Sequence, residues 1–181
     1  LAEGAGVLVL ESYEHAKARG ATILAELSGY GMSSDSKDMV KPEVEGPREA
    51  MKMALADAGL MPEQIAYLNA HGTATMDNDR NETKAIKEVF GDHAYKLAVS
   101  STKSMHGHPL GAGGGIEAVV SIKAMQDRFA PATIGLTEAD PGAVPDHDRP
   151  QTNRSDRRRE AVQDQRTDHG SDGGGDDHSD H

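Results

Sequence analysis

Two short segments carry the residue types from which chemistry could be built: Asn69-Ala70-His71-Gly72-Thr73-Ala74-Thr75 and Ser101-Thr102-Lys103-Ser104-Met105-His106-Gly107-His108-Pro109. Each lies where an apolar strand hands over to a helix, the position at which α/β folds place reactive groups. A neutral imidazole donates one hydrogen bond, so two of them converging from separate strand ends can hold an oxygen that gains negative charge, as in an enolate left by departing CO2. His108 directly precedes Pro109 and an apolar helix, whose positive end favours a neutral ring beside it. The chain contains no Cys, so it holds no thiol nucleophile of its own.

Other residues of the two segments have readings both functional and bland. Lys103 lies at the strand exit, where a buried ammonium needs a carboxylate, and Glu82 is the obvious candidate. His71 can equally be a loop histidine, and His106 reads as a solvated or supporting neighbour rather than a reacting group. The run Gly111 to Gly115 reads as close backbone packing, since it lacks the Gly-Lys-Ser/Thr ending of a phosphate loop. His71, His106 and His108 form too thin a ligand set for zinc, and His147, His169, His178 and His181 read as solvated linker, so no metal is expected.

The elements that must position these residues follow from local pattern. Gly4 to Glu11 and Thr22 to Tyr30 read as strands, separated by a helix over Ser12 to Arg19 that ends at Gly20. The spacing of Ala50, Met51, Ala54, Leu55 and Ala58 predicts a helix over Glu45 to Ala58, with Pro47 in its first turn and Gly59 past its end. Ala66 to Asn69 and Leu97 to Ser100 read as short strands. Asp79 and Glu82 have capping-box spacing and open a helix to Phe90. Pro109 to Gln126 is apolar on nearly all sides, the pattern of a buried helix. Alternating strands and helices make the fold α/β with a partly parallel sheet.

Composition bounds the rest. A net charge of −11 excludes the concentrated basic face that nucleic acid or an anionic membrane requires. No apolar run approaches the roughly 20 residues of a membrane span, no signal peptide opens the chain, and the cytoplasm is the expected compartment. The apolar deficit is concentrated at one end: Asp146 to His181 has Ala161 and Val162 as its sole aliphatic side chains apart from proline. Such a segment cannot offset roughly 1–2 kcal/mol of backbone entropy per residue, and a disordered tail is expected for 146–181.

Taken in order, Gly4-Ala5-Gly6-Val7-Leu8-Val9-Leu10-Glu11, Asn69-Ala70-His71-Gly72-Thr73, Asn78-Asp79-x-x-Glu82-Thr83 and Ser100-Ser101-Thr102-Lys103-Ser104-Met105-x-Gly107-His108 resemble the C-terminal part of the β-ketoacyl-acyl-carrier-protein synthases, most of all the elongating type II enzymes. The resemblance covers residues 1–145. It implies the C-terminal half of a thiolase-like α/β fold, a mixed sheet with helices on both faces, in which the strands at Thr22, Ala66 and Leu97 begin the sheet. It also implies decarboxylative condensation of an acyl thioester with malonyl-acyl-carrier protein, with no cofactor. His71 and His108 match the catalytic histidines, Lys103 the motif lysine, and Glu82 the acid that supports them. Thr73 and Thr75 match the threonines that hydrogen-bond the pantetheine arm. The implied partners are acyl-carrier protein and, at full length, a second copy of the enzyme.

The sequence also departs from that pattern. His106 stands where the family commonly has threonine, which points to a specialised branch, and a polyketide or nodulation-type ketosynthase is the nearest alternative. The tail replaces the family's glycine- and phenylalanine-rich loop and closing hairpin, so the composition break reads as a change of frame. Without the nucleophilic cysteine, the chain alone is expected to be inactive in condensation. A non-catalytic partner subunit resembling the chain-length factors is a further alternative, whereas a hydrolase would need a nucleophile elbow, which is absent.

Overall fold

The computed structural model describes residues 1–35, 37 and 42–138. The expected tail, 146–181, lies outside the described residues.

The centre of the fold is a parallel β-α-β unit. Strand β1, Tyr67–Asn69, pairs in parallel with β2, Ala98–Ser100, in the register Tyr67 to Ala98, Leu68 to Val99 and Asn69 to Ser100. Parallel neighbours need a crossover, and helix α3, Met76–Phe90, supplies it, followed by a short turn of 3-10 helix over Gly91–Tyr95. The inner face of α3 brings Ile86 and Phe90 against Leu97, Val99, Ala70 and Ala94, all nearly removed from solvent. Helix α2, Glu45–Ala58, has the bounds that its sequence predicts and stops at Gly59 in the left-handed conformation, φ +64°. Its Met51 and Leu55 extend the same core.

The remaining helices are α1, Tyr13–Ala18, α4, Lys103–His106, and α5, Gly113–Asp127, the last preceded by a 3-10 turn at Leu110–Ala112. Among the described residues no helix is long and apolar enough to cross a membrane.

Several expectations are corrected here. Gly4 to Glu11 and Thr22 to Tyr30 form no strand. Their pattern is that of strands, but a strand exists only where a second backbone completes the ladder, and no described segment pairs with either. They pack on helices instead. A side chain at Gly6 would collide with the backbone of Gly115 on α5, and one at Gly31 with the backbone of Ala50 on α2. The Tyr30 N–H also donates to Asp57 of α2 at 2.9 Å. Val7, Val9, Leu10 and Leu27 consequently stay largely exposed. Helix α5 is apolar but not enclosed: of its residues only Gly113 is buried, because one face alone is covered by described chain. Helix α3 begins at Met76, three residues before the expected capping box, and Glu82 is used elsewhere.

Candidate active site

The first histidine segment leaves β1 through buried Ala70, whose N–H continues the ladder to the Ser100 carbonyl at 2.8 Å. Beyond it the chain turns sharply at Gly72, φ +43°, where a Cβ would strike the Ser101 side chain. Only glycine suits both the left-handed backbone and the contact. Two amides exposed by this turn need acceptors, and Glu82 provides both. The His71 N–H donates to Oε1 at 2.7 Å and the Gly72 N–H to Oε2 at 2.8 Å. Asn78 Nδ2 adds a longer bond to Oε2 at 3.4 Å. Glu82 is thus a backbone clamp of the histidine segment.

The expected pairing of Lys103 with Glu82 does not occur. Lys103 is buried and pairs with Glu117, one and a third turns into α5. The sequence held a signal for this, since Glu117 is the lone acid between Gly113 and Gln126, and a buried cation demands a neighbouring anion.

The second histidine segment is shaped by backbone strain. His108 Nδ1 accepts the Leu110 N–H at 3.3 Å, and Leu110 takes φ +50°, unusual for a residue with a Cβ. A ring nitrogen that accepts a hydrogen bond holds its lone pair there, so the proton of neutral His108 resides on Nε2. The His108 carbonyl in turn accepts the Ala2 N–H at 3.1 Å.

The two rings meet edge to face, with centroids 5.3 Å apart and planes at 88°. Desolvation holds the His71 imidazolium below the ordinary histidine pKa, and the Lys103 ammonium pushes it further down. Glu82 and Glu117 offset part of that shift. His71 is therefore neutral at pH 7 and a donor without a charge of its own.

A cleft of about 690 Å3 opens beside this pair. Its lining includes His108, Lys103, Glu82, Thr73 and Thr75 together with Ile134 to Leu136. His71 is not among the lining residues and reaches the site through its ring contact with His108. The Thr73 and Thr75 hydroxyls lie 2.9 Å apart, with Ala74 between them at φ +60°.

Sequence reasoning missed a buried polar chain that joins the two segments. Asn69 bonds Thr102 through its amide nitrogen at 3.1 Å and accepts the Thr102 N–H at 3.3 Å. The Thr102 hydroxyl lies 3.2 Å from His106 Nε2, leaving the buried Nδ1 of His106 without a protein partner. His106 is therefore integrated into the framework rather than solvated. Among the described residues, no group of three His, Cys, Asp or Glu side chains converges as metal ligands would.

The described residues thus form part of a thiolase-like α/β fold that brings two histidines and a buried lysine together at the exits of paired parallel strands. The C-terminal domain of β-ketoacyl synthases matches residues 24–137, and the chain belongs to that family. Nodulation protein E of Rhizobium leguminosarum bv. trifolii is 57% identical over 141 residues, covering 78% of this chain and 35% of the relative. The 3-oxoacyl-[acyl-carrier-protein] synthase 2 of Coxiella burnetii is 56% identical over 144 residues, with the same coverage of 78% and 35%. Among solved structures, a ketosynthase bound to the hexaketide, in complex with its type II PKS acyl-carrier protein AntF, superposes with a TM-score of 0.70. It is 40% identical, over 73% of this chain and 33% of that one. The chain spans about a third of the length of each.

Proposed function

We propose that this chain carries the decarboxylating side of a fatty-acid-elongating 3-oxoacyl-[acyl-carrier-protein] synthase site. The observation that carries the reading is the His71–His108 pair at 5.3 Å, with His108 Nδ1 taken up by the Leu110 N–H and the His71 imidazolium disfavoured by desolvation. A malonyl thioester entering along Thr73 and Thr75 would bring its carbonyl oxygen to the imidazole donors. Cleavage of the bond from Cα to the carboxylate releases CO2 and moves the electron pair into an enolate, whose oxygen the two donors stabilise. Preorganised donors of this kind are worth about 3–4 kcal/mol each. Lys103, held by Glu117, adds fixed positive charge, and Glu82 keeps the His71 backbone in place. The enolate carbon then attacks the carbonyl of an acyl thioester held on a cysteine, forming the new C–C bond and expelling the cysteine thiolate; this Cys-free chain leaves that residue to the part of the longer relatives that it does not cover.

Acyl-carrier protein is the partner in this reading, the homodimer its assembly and the cytoplasm its compartment. His106 favours a second reading, a polyketide or nodulation-type ketosynthase. It replaces the usual threonine and is built into the Asn69–Thr102 chain rather than left on the surface.

Malonyl-pantetheine incubated with the chain tests the proposal. Slow conversion to acetyl-pantetheine and CO2 is expected, lost in His71→Ala and His108→Ala, with no covalent acyl-protein adduct. A stable acyl adduct, or decarboxylation indifferent to both histidines, would overturn it.

A further inference from the structure

The serines of the second segment have no role in the chemistry above, yet each is committed to one stretch of chain. Ser100 Oγ donates to the Pro131 carbonyl at 2.6 Å, and the Tyr67 hydroxyl lies 2.9 Å from that same oxygen. The Ser101 N–H donates to Thr133 Oγ1 at 3.1 Å, while its hydroxyl donates to the Gly72 carbonyl at 3.1 Å. Ser104 Oγ donates to the Ser101 carbonyl at 2.9 Å and accepts the Ile134 N–H at 2.9 Å. Pro131, Thr133 and Ile134 are therefore stitched to β2 and its exit.

That stretch belongs to no helix or strand; buried Pro131 anchors its start, and beyond that residue these bonds are what seats it. It turns at Gly135, φ +83°, and supplies Ile134, Gly135 and Leu136 to the cleft that Thr73 and Thr75 also line. Ile134 and Leu136 remain 57% and 39% exposed, so apolar burial contributes little to holding them. A loop fastened mainly by side-chain hydrogen bonds moves when one bond is removed.

We propose that Ser104 is a positioning residue: its hydroxyl seats Ile134 and thereby sets the width of the cleft and its grip on a ligand arm. The seat itself follows from the geometry alone, whereas the nature of the arm, pantetheine, rests on the function proposed above.

Because the chain has no native Cys, spin labels can be placed at Asp77→Cys, next to Met76 of the cleft lining, and at Thr137→Cys, next to Leu136. The expected result in the parent is a single narrow interlabel distance. Ser104→Ala broadens it and speeds amide exchange at Ile134 roughly tenfold, the loss of about one hydrogen bond. Ser104→Thr restores both. Thr133→Val, which removes the acceptor of the Ser101 N–H, broadens the distance independently should Ser104→Ala not fold. An unchanged distance and unchanged exchange in Ser104→Ala overturn the proposal, as does failure of Ser104→Thr to restore them. Malonyl-pantetheine binding is expected to weaken roughly tenfold in Ser104→Ala, and equal binding by parent and variant overturns the grip. A parent that binds no malonyl-pantetheine refutes the proposed function, and the distance and exchange measurements then decide the seat by themselves.

Discussion

Glu82 grips the peptide backbone at His71 with one carboxylate oxygen and that of Gly72 with the other, at 2.7 and 2.8 Å. The acid therefore supports the histidine by shaping the chain that carries it. A carboxylate facing two N–H groups forms charge-assisted bonds, stronger than those between neutral partners.

Glu82→Gln keeps one carbonyl oxygen for these amides and turns an NH2 group towards the other. One N–H loses its acceptor, and a cost of about 1–3 kcal/mol is expected. Urea denaturation should show a lowered midpoint with an unchanged slope. A midpoint equal to that of the parent would mean that the clamp is dispensable.

The lowered pKa of His71 has a consequence for stability. Its folded-state value lies below the unfolded one because desolvation, and then Lys103, disfavour the imidazolium. Over that interval the unfolded chain binds more protons, so stability rises with pH. The contribution is fully present above the unfolded histidine value of about 6.5, and is lost as pH falls through the folded value. Denaturation midpoints measured downward from pH 7.5 should fall in the parent, with a smaller slope in His71→Gln. Parallel profiles would show that His71 does not carry the effect.

Lys103 and Glu117 form a pair with side chains only 6% and 17% exposed. Lys103→Met strands the carboxylate, and about 3–5 kcal/mol of destabilisation is expected. Lys103→Met combined with Glu117→Leu removes both charges and should recover most of that loss. A double-mutant cycle from denaturant midpoints measures the coupling, and strict additivity would refute it.

Leu110 separates backbone strain from tautomer control. Its left-handed conformation costs roughly 1–2 kcal/mol, while glycine adds about 0.5–1 kcal/mol of unfolded-state entropy. Leu110→Gly is thus expected to be neutral or stabilising by up to about 1 kcal/mol. It keeps the N–H on His108 Nδ1, so the 15N spectrum should still show the proton on Nε2. A mixture of His108 tautomers in Leu110→Gly would show that the Leu110 amide does not select between them.

Much of the framework was legible in the sequence because it rests on local rules. Pro47 and Gly59 bracket α2 since proline suits a first helical turn and glycine a left-handed end, and the helix runs between them as read. The apolar triplets at Tyr67 and Ala98 became paired strands, and the motif spacing brought His71 and His108 to one place. What the sequence could not decide is where a second partner comes from. Gly4 to Glu11 and Thr22 to Tyr30 have strand pattern without strand structure, because a ladder is made by another backbone and not by the residue order. Whether Lys103 meets Glu82 or Glu117 depends on how α5 meets α4, and whether Glu82 caps a helix or clamps a loop depends on where α3 begins. Periodicity and capping act within a few residues of chain, whereas charges and hydroxyls choose partners across 14 to 30 residues once the core has brought them within bonding distance.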